Sequence, residues 1–185
     1  MRFCDDFVVV CPSKARAEQA QAMAAQVLAD IGLRLHPDKT RIVCLQEGAE
    51  GFDFLGFHHH MVASRKDVGR FYLQKWPSDR AMASIKARVR DRTHRRYVGR
   101  ELAYVVEDLN PVLRGWGAYF RFGNSNRKFH AIDSYVHERL AILASNKHGK
   151  SGRNWANRFN YEWFKGLDVH RLTGTVQYWS AHALR

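Results

Sequence analysis

The sequence predicts an α+β chain in two parts, antiparallel strands with one helix over residues 1–76 and a mainly helical segment over 77–185. Three observations predict it. The strand-like apolar runs all fall before Pro77. Beyond Pro77-Ser78 the apolar residues recur at three- and four-residue spacing, the period of a helix face. The charge also changes sign: residues 1–60 hold 6 basic and 8 acidic side chains, a net of −2, whereas 61–185 hold 24 and 10, a net of +14.

Phe7–Cys11 is continuously apolar and β-branched, the pattern of a buried strand. Pro12-Ser13 opens a helix with Ser13 as its N-cap. Ala20, Met23, Ala24, Val27, Leu28 and Ile31 fall on one face of that helix, which Gly32 ends. Leu33–Leu35 and Arg41–Leu45 read as short strands around the turn at His36-Pro37-Asp38-Lys39. Phe52–Phe57 alternates and predicts a hairpin near Gly56. Gly69–Trp76 reads as one more strand.

In the second part, Met82, Ile85, Val89 and Thr93 form a packing stripe from Asp79 onward. Arg88, Arg92, Arg95 and Arg96 share the opposite side at helical spacing, a basic face with few acidic partners one turn away. Asn110-Pro111 predicts a helix start with proline at the first position, followed by Val112, Leu113, Trp116, Tyr119 and Phe120 and a break at Gly123-Asn124. Phe129, Ile132, Val136, Leu140 and Leu143 mark another helix. His148–Arg153 reads as a basic loop, and the aromatic-rich tail from Trp155 to Trp179 is expected to pack back on the helices.

At 185 residues the chain has room for one good core or two small ones. A formal charge of +12 and 12% aromatic residues exclude a disordered basic tail and point to a polyanionic partner held through phosphate contacts. Cys4, Cys11 and Cys44 lie in apolar contexts without metal-ligand spacing, as expected of reduced core thiols in a cytoplasmic protein. With no long apolar span, a membrane role is not expected.

Asp5-Asp6 beside the run at Phe7 is the feature richest in chemistry. Paired carboxylates suit a hard cation such as Mg²⁺, which takes oxygen ligands. Adjacent strand residues point to opposite faces, so both reach one site only in the turn of a hairpin. His58-His59-His60 is no metal motif, because successive strand residues do not converge on one ion. Lys147-His148-Gly149-Lys150-Ser151-Gly152 lacks the earlier glycine and the preceding strand of a phosphate-binding loop.

Arg2-Phe3-Cys4-Asp5-Asp6-Phe7 resembles the R-Y-A-D-D-F signature of group II intron-encoded reverse transcriptases, or maturases. Gly32-Leu33-Arg34-Leu35 with Asp38-Lys39-Thr40 resembles the family's next palm motif, and Gly51–Phe57 its primer-grip region. Leu109–Phe120 resembles the maturase-specific domain, which also serves as the thumb, and Gly166-Leu167 to Gly174-Thr175-Val176 the closing motif. Five motifs in order make the resemblance specific. It implies a partial reverse-transcriptase palm over 1–76 and a helical thumb/maturase domain over 77–185. Asp5 and Asp6 would bind Mg²⁺ within a complete palm, and Lys39 would stand near the nucleotide phosphates as a general acid or be a surface turn lysine. Phe54, Leu55, Gly56 and Phe57 would position the primer end, although core packing explains the two phenylalanines equally well. Arg88, Arg92, Arg95, Arg96, Arg114, Arg121, Arg127 and Lys128 would meet phosphates, with Tyr97, Trp116, Tyr119 and Phe122 as stacking candidates and packing the better reading of Trp116.

Phe3 and Cys4 stand where the family more usually has tyrosine and alanine. The fingers and one further metal-binding aspartate belong upstream of the Asp-Asp motif, where this sequence has four residues. The expectation is a reverse-transcriptase/maturase fragment that binds group II intron RNA and template–primer but does not polymerise DNA alone. An upstream polypeptide would supply fingers and palm, and the missing first strand of the catalytic hairpin would leave an edge beside Phe7–Cys11. The competing expectations are a non-catalytic RNA-binding module aiding splicing, or a decayed mobile-element relic.

Overall fold

The computed structural model describes residues 2–3, 5–148 and 158–178. Cys4, Gly149–Arg153, Trp155 and Trp179, to which the sequence analysis gave roles, lie outside them. The chain divides into two compact units, Met1–Gln74 and Lys75–Arg185, with the division inside a strand.

The first unit opens with a hairpin of β1 (Arg2–Phe3) and β2 (Asp6–Phe7), paired antiparallel with Arg2 opposite Phe7 and Phe3 opposite Asp6. The first strand expected to be missing is therefore present in short form. The ladder stops at Phe7, and Val9 and Val10 are 59% and 83% exposed, so the expected buried strand over Phe7–Cys11 is not formed. Apolar character alone forms no strand without a partner to take its backbone hydrogen bonds.

Helix α1 (Lys14–Asp30) begins where Ser13 accepts a hydrogen bond from the Arg16 N–H at 3.4 Å. It ends in a Schellman turn: Leu33 N–H bonds Leu28 O at 2.8 Å, Gly32 N–H bonds Ala29 O at 3.0 Å, and Gly32 takes φ 75°. None of its residues is buried, and Met23, Val27 and Ile31 on the expected packing face are exposed. Capping and an alanine-rich sequence sustain this helix, not a core. Leu33–Leu35 and Arg41–Leu45 form no ladder, contrary to expectation, although His36 O does close the turn by accepting from the N–H groups of Lys39 and Thr40. Cys11 is half-buried and Cys44 exposed, so Cys44 is not a core thiol.

Three strands follow in the order β3-β4-β5, namely β3 (Gly51–Phe54), β4 (Phe57–Ala63) and β5 (Phe71–Pro77). The β3–β4 turn is Leu55-Gly56, with φ of 49° and 76°, the doubly positive pattern of a tight hairpin loop. At Gly51 an added Cβ would lie 2.8 Å from the His59 carbonyl oxygen and 2.5 Å from His58 Nε2, so only glycine lets the strands approach this closely.

The second unit is a helical assembly with its own core. Ser78 caps α2 (Asp79–Arg92) through the Ala81 N–H at 3.2 Å. α3 spans Leu102–Phe120 and α4 Asn126–Lys147. The expected helix start at Asn110-Pro111 is wrong, because α3 begins at Leu102 and carries Pro111 inside it. The turn around Val105, Val106 and Leu109 is buried, and that packing outweighs the hydrogen bond a mid-helix proline removes. Ile85, Val89, Leu109, Leu113, Phe129, Ile132, Val136 and Leu140 are fully buried and join the three helices. Arg139 of α4 fastens the end of α2, donating from Nε to Thr93 Oγ1 and from Nη2 to Thr93 O, both at 3.1 Å. Within the tail, α5 (Tyr161–Lys165) is capped by Asn160, and Phe159, Phe164 and Leu172 are buried.

Candidate nucleic-acid interface

α2 stops at Arg92, with Thr93 as its C-cap and a 3₁₀ turn over Arg95–Tyr97. The expected single basic helix face through Arg88, Arg92, Arg95 and Arg96 is therefore broken after Arg92. The Thr93 hydroxyl bonds Val89 O at 2.7 Å and competes with continuation of the helix.

The eight basic residues singled out from the sequence separate by environment. Arg92 Nε lies 3.3 Å from Asp108, Arg96 Nη2 2.7 Å from Asp91, and Lys128 Nζ 3.1 Å from Asp79. Arg121 is half-buried with its guanidinium over Phe122, 4.7 Å from the ring centroid. Arg88, Arg95, Arg114 and Arg127 are exposed and have no acidic partner among the described residues. Such charges stay hydrated and available to phosphates, whereas a paired arginine must first give up its carboxylate. Among the aromatic candidates, Trp116 packs on Phe120 and Phe129 at 4.8 and 5.5 Å, Tyr119 is exposed, and Tyr97 lies beneath Arg96 and Arg100, each 4.9 Å from its centroid.

A polar clasp that sequence reasoning missed fixes the terminal segment. Asn110 donates from Nδ2 to Asp168 O at 3.0 Å and accepts the His170 N–H at 2.7 Å. Asp133 accepts from the N–H groups of Leu172 and Thr173 at 3.0 and 2.9 Å and from the Thr173 hydroxyl at 2.6 Å. Leu172 seats against Gly117, where an added Cβ would lie 2.6 Å from its Cδ2. Burial, then the Arg114 charge, hold the His170 imidazole below its ordinary range, with Asp133 opposing them. The available signal was a carboxylate between Ile132 and Val136, on a face otherwise apolar.

In the first unit, Asp5 lies in the turn of the β1–β2 hairpin and Asp6 opens β2, both exposed. Mg²⁺ commonly draws one or two carboxylates from a protein and completes its octahedron with water and substrate phosphates. Asp5 and Asp6 fit that part. A bound ion would supply charge neutralisation at those phosphates. No group of three or more His, Cys, Asp or Glu side chains is placed to hold a metal among the described residues. Lys39 sits exposed in the turn closed by His36. Phe54 and Phe57 face each other across the ladder and are each 8% exposed, so packing accounts for them, and of the four only the Leu55-Gly56 turn is presented. His58 and His60 share one side of β4, where His58 Nδ1 bonds Asp53 Oδ1 at 2.6 Å, while His59 stacks on Phe52.

Residues 1–59 match the reverse transcriptase (RNA-dependent DNA polymerase) family, and residues 82–161 match the group II intron, maturase-specific domain. No curated protein matches the chain. The first match covers the Asp5-Asp6 hairpin and the second covers most of the helical unit. The chain belongs to the group II intron reverse transcriptase/maturase family, with a reverse-transcriptase segment followed by a maturase-specific domain. That family generally uses divalent metal ions and binds intron RNA and template. No helix among the described residues is long and apolar enough to cross a membrane.

Proposed function

We propose that the helical unit binds structured group II intron RNA and template–primer duplex, with Arg88, Arg95, Arg114 and Arg127 as its principal phosphate contacts. The observation that carries the reading is the set of exposed arginines without carboxylate partners among the described residues, on a unit matching the maturase-specific domain. RNA duplexes are held mainly through phosphates and 2′-hydroxyls, which is the chemistry these side chains offer. The test is filter binding of the purified chain to a structured intron RNA against an unstructured homopolymer competitor. Retention of the structured RNA under competitor excess is expected, and its complete displacement would overturn the reading.

Asp5 and Asp6 act in polymerisation as carboxylate ligands of a divalent ion, and the first unit works docked against further protein surface. The exposed apolar side chains Met23 and Val27 of α1 and Ile31 at its C-cap favour this reading, since they suit a protein partner better than water. Mg²⁺-dependent primer extension by the purified chain alone would refute it.

A further inference from the structure

Between the end of α4, the segment leading into α3 and the tail helix α5 lies a cavity of about 240 Å³ that neither proposed activity uses. Its floor is apolar, made by Leu143 and Ala144 of α4 with Val98 and Leu102. Phe159 and Trp163 form an aromatic wall, edge to face with centroids 4.8 Å apart. The remaining lining is basic or imidazole: Arg100, Lys147 and His148, all exposed, with Lys147 Nζ held 3.0 Å from Arg100 O and the His148 ring stacked on Phe159. Among the described residues no carboxylate lines it.

The size lies below the roughly 300–1,000 Å³ of sites for drug-sized ligands and suits one flat ring system. An apolar floor with an aromatic wall favours a π-face, and cations at the rim favour an anion attached to it. A nucleotide combines the two: a flat base on a phosphate, with sequence-tolerant stacking on aromatic side chains. We propose that this cavity receives a single unpaired nucleotide of a bound RNA, its base against Trp163 and Phe159 and its phosphate toward Arg100, Lys147 and His148. The assignment rests on the RNA-binding reading of the helical unit and adds to it a site that selects for a bulge or an unpaired end.

The test is fluorescence anisotropy with the full chain and two labelled RNA hairpins, identical except that one carries a single unpaired adenosine. The bulged hairpin is expected to bind at least about fivefold tighter, the lower end of what base–aromatic stacking supplies. Trp163→Ala should abolish that preference while leaving affinity for the paired hairpin, and its salt slope, unchanged. Ala144→Leu, which fills the cavity from α4, should do the same, with circular dichroism verifying that each variant is folded. Equal affinity for the two hairpins, or a preference that survives both variants, would overturn the assignment. So would competition by free adenosine 5′-monophosphate without any bulge preference, since the cavity would then take a free nucleotide. Failure to bind either hairpin would remove the RNA-binding reading itself, a result distinct from loss of the preference alone.

Discussion

Replacing Asp133 by asparagine isolates the clasp that holds the terminal segment on α3 and α4. The carboxylate accepts three hydrogen bonds, from the Leu172 and Thr173 amides and the Thr173 hydroxyl. Asparagine keeps one acceptor oxygen and turns an NH₂ toward the other donors, so at least one bond is lost and the rest lose their charge assistance. Hydrogen bonds to charged groups contribute about 1.5–3 kcal/mol, and a buried donor left unmade costs about 1–3 kcal/mol. Leu172 is fully buried, so its amide has no water to turn to, whereas Thr173 is exposed and partly compensated. The expected net cost is about 2–4 kcal/mol, a midpoint lowered by roughly 5–15 °C for a chain of this length. The assay is thermal unfolding followed by far-UV circular dichroism, reading the helical transition separately because two units need not melt together. Thr173→Val, which removes only the hydroxyl, should cost about 1 kcal/mol, and the double variant less than the sum. Asp133→Asn within about 0.5 kcal/mol of the parent, the range of ordinary surface substitutions, would refute the reasoning.

The remaining predictions address other elements. His170 is held below its ordinary value of 6.5, chiefly by burial, so below that pH the unfolded chain takes up a proton that the folded chain resists. Stability of the helical unit should therefore fall as pH drops below about 6.5, and His170→Gln should flatten that part of the profile; an identical profile would contradict it. Gly51→Ala forces a Cβ against the His59 carbonyl and should destabilise the β3–β4 hairpin by about 1–3 kcal/mol, read as faster amide exchange over Gly51–Ala63. Unchanged protection would show that the strands can part at no cost. Asp5→Asn with Asp6→Asn should leave the melting profile unchanged, both side chains being exposed. A lowered midpoint would show that the two carboxylates hold the hairpin together.

Local chemistry was the part of the fold most legible in the sequence. Ser13 caps the helix it was expected to cap, Gly32 closes α1, and the hairpin turns at Leu55-Gly56. These features depend on a few adjacent residues. What failed depended on partners far along the chain. Val9 and Val10 read as strand but pair with no neighbour among the described residues, and Pro111 read as a helix start although packing upstream carries α3 through it. At the interface, Arg88 and Arg92 look alike in sequence. Only the fold brings Asp108 to Arg92 and leaves Arg88 without such a partner among the described residues. The Asp133 clasp joins positions about forty residues apart, which no local pattern announces.

The salt dependence of RNA binding tests the central claim most directly. A structured intron RNA would be titrated with the parent chain and with the variant carrying Arg88, Arg95, Arg114 and Arg127 all replaced by glutamine. Each phosphate contact contributes roughly 0.7–0.9 to the slope of log affinity against log salt, so the variant's slope should fall by about 3. A matched variant replacing Arg92, Arg96, Arg121 and Lys128, the paired or half-buried set, should change it far less. Equal losses from both variants, or none from the first, would contradict the account.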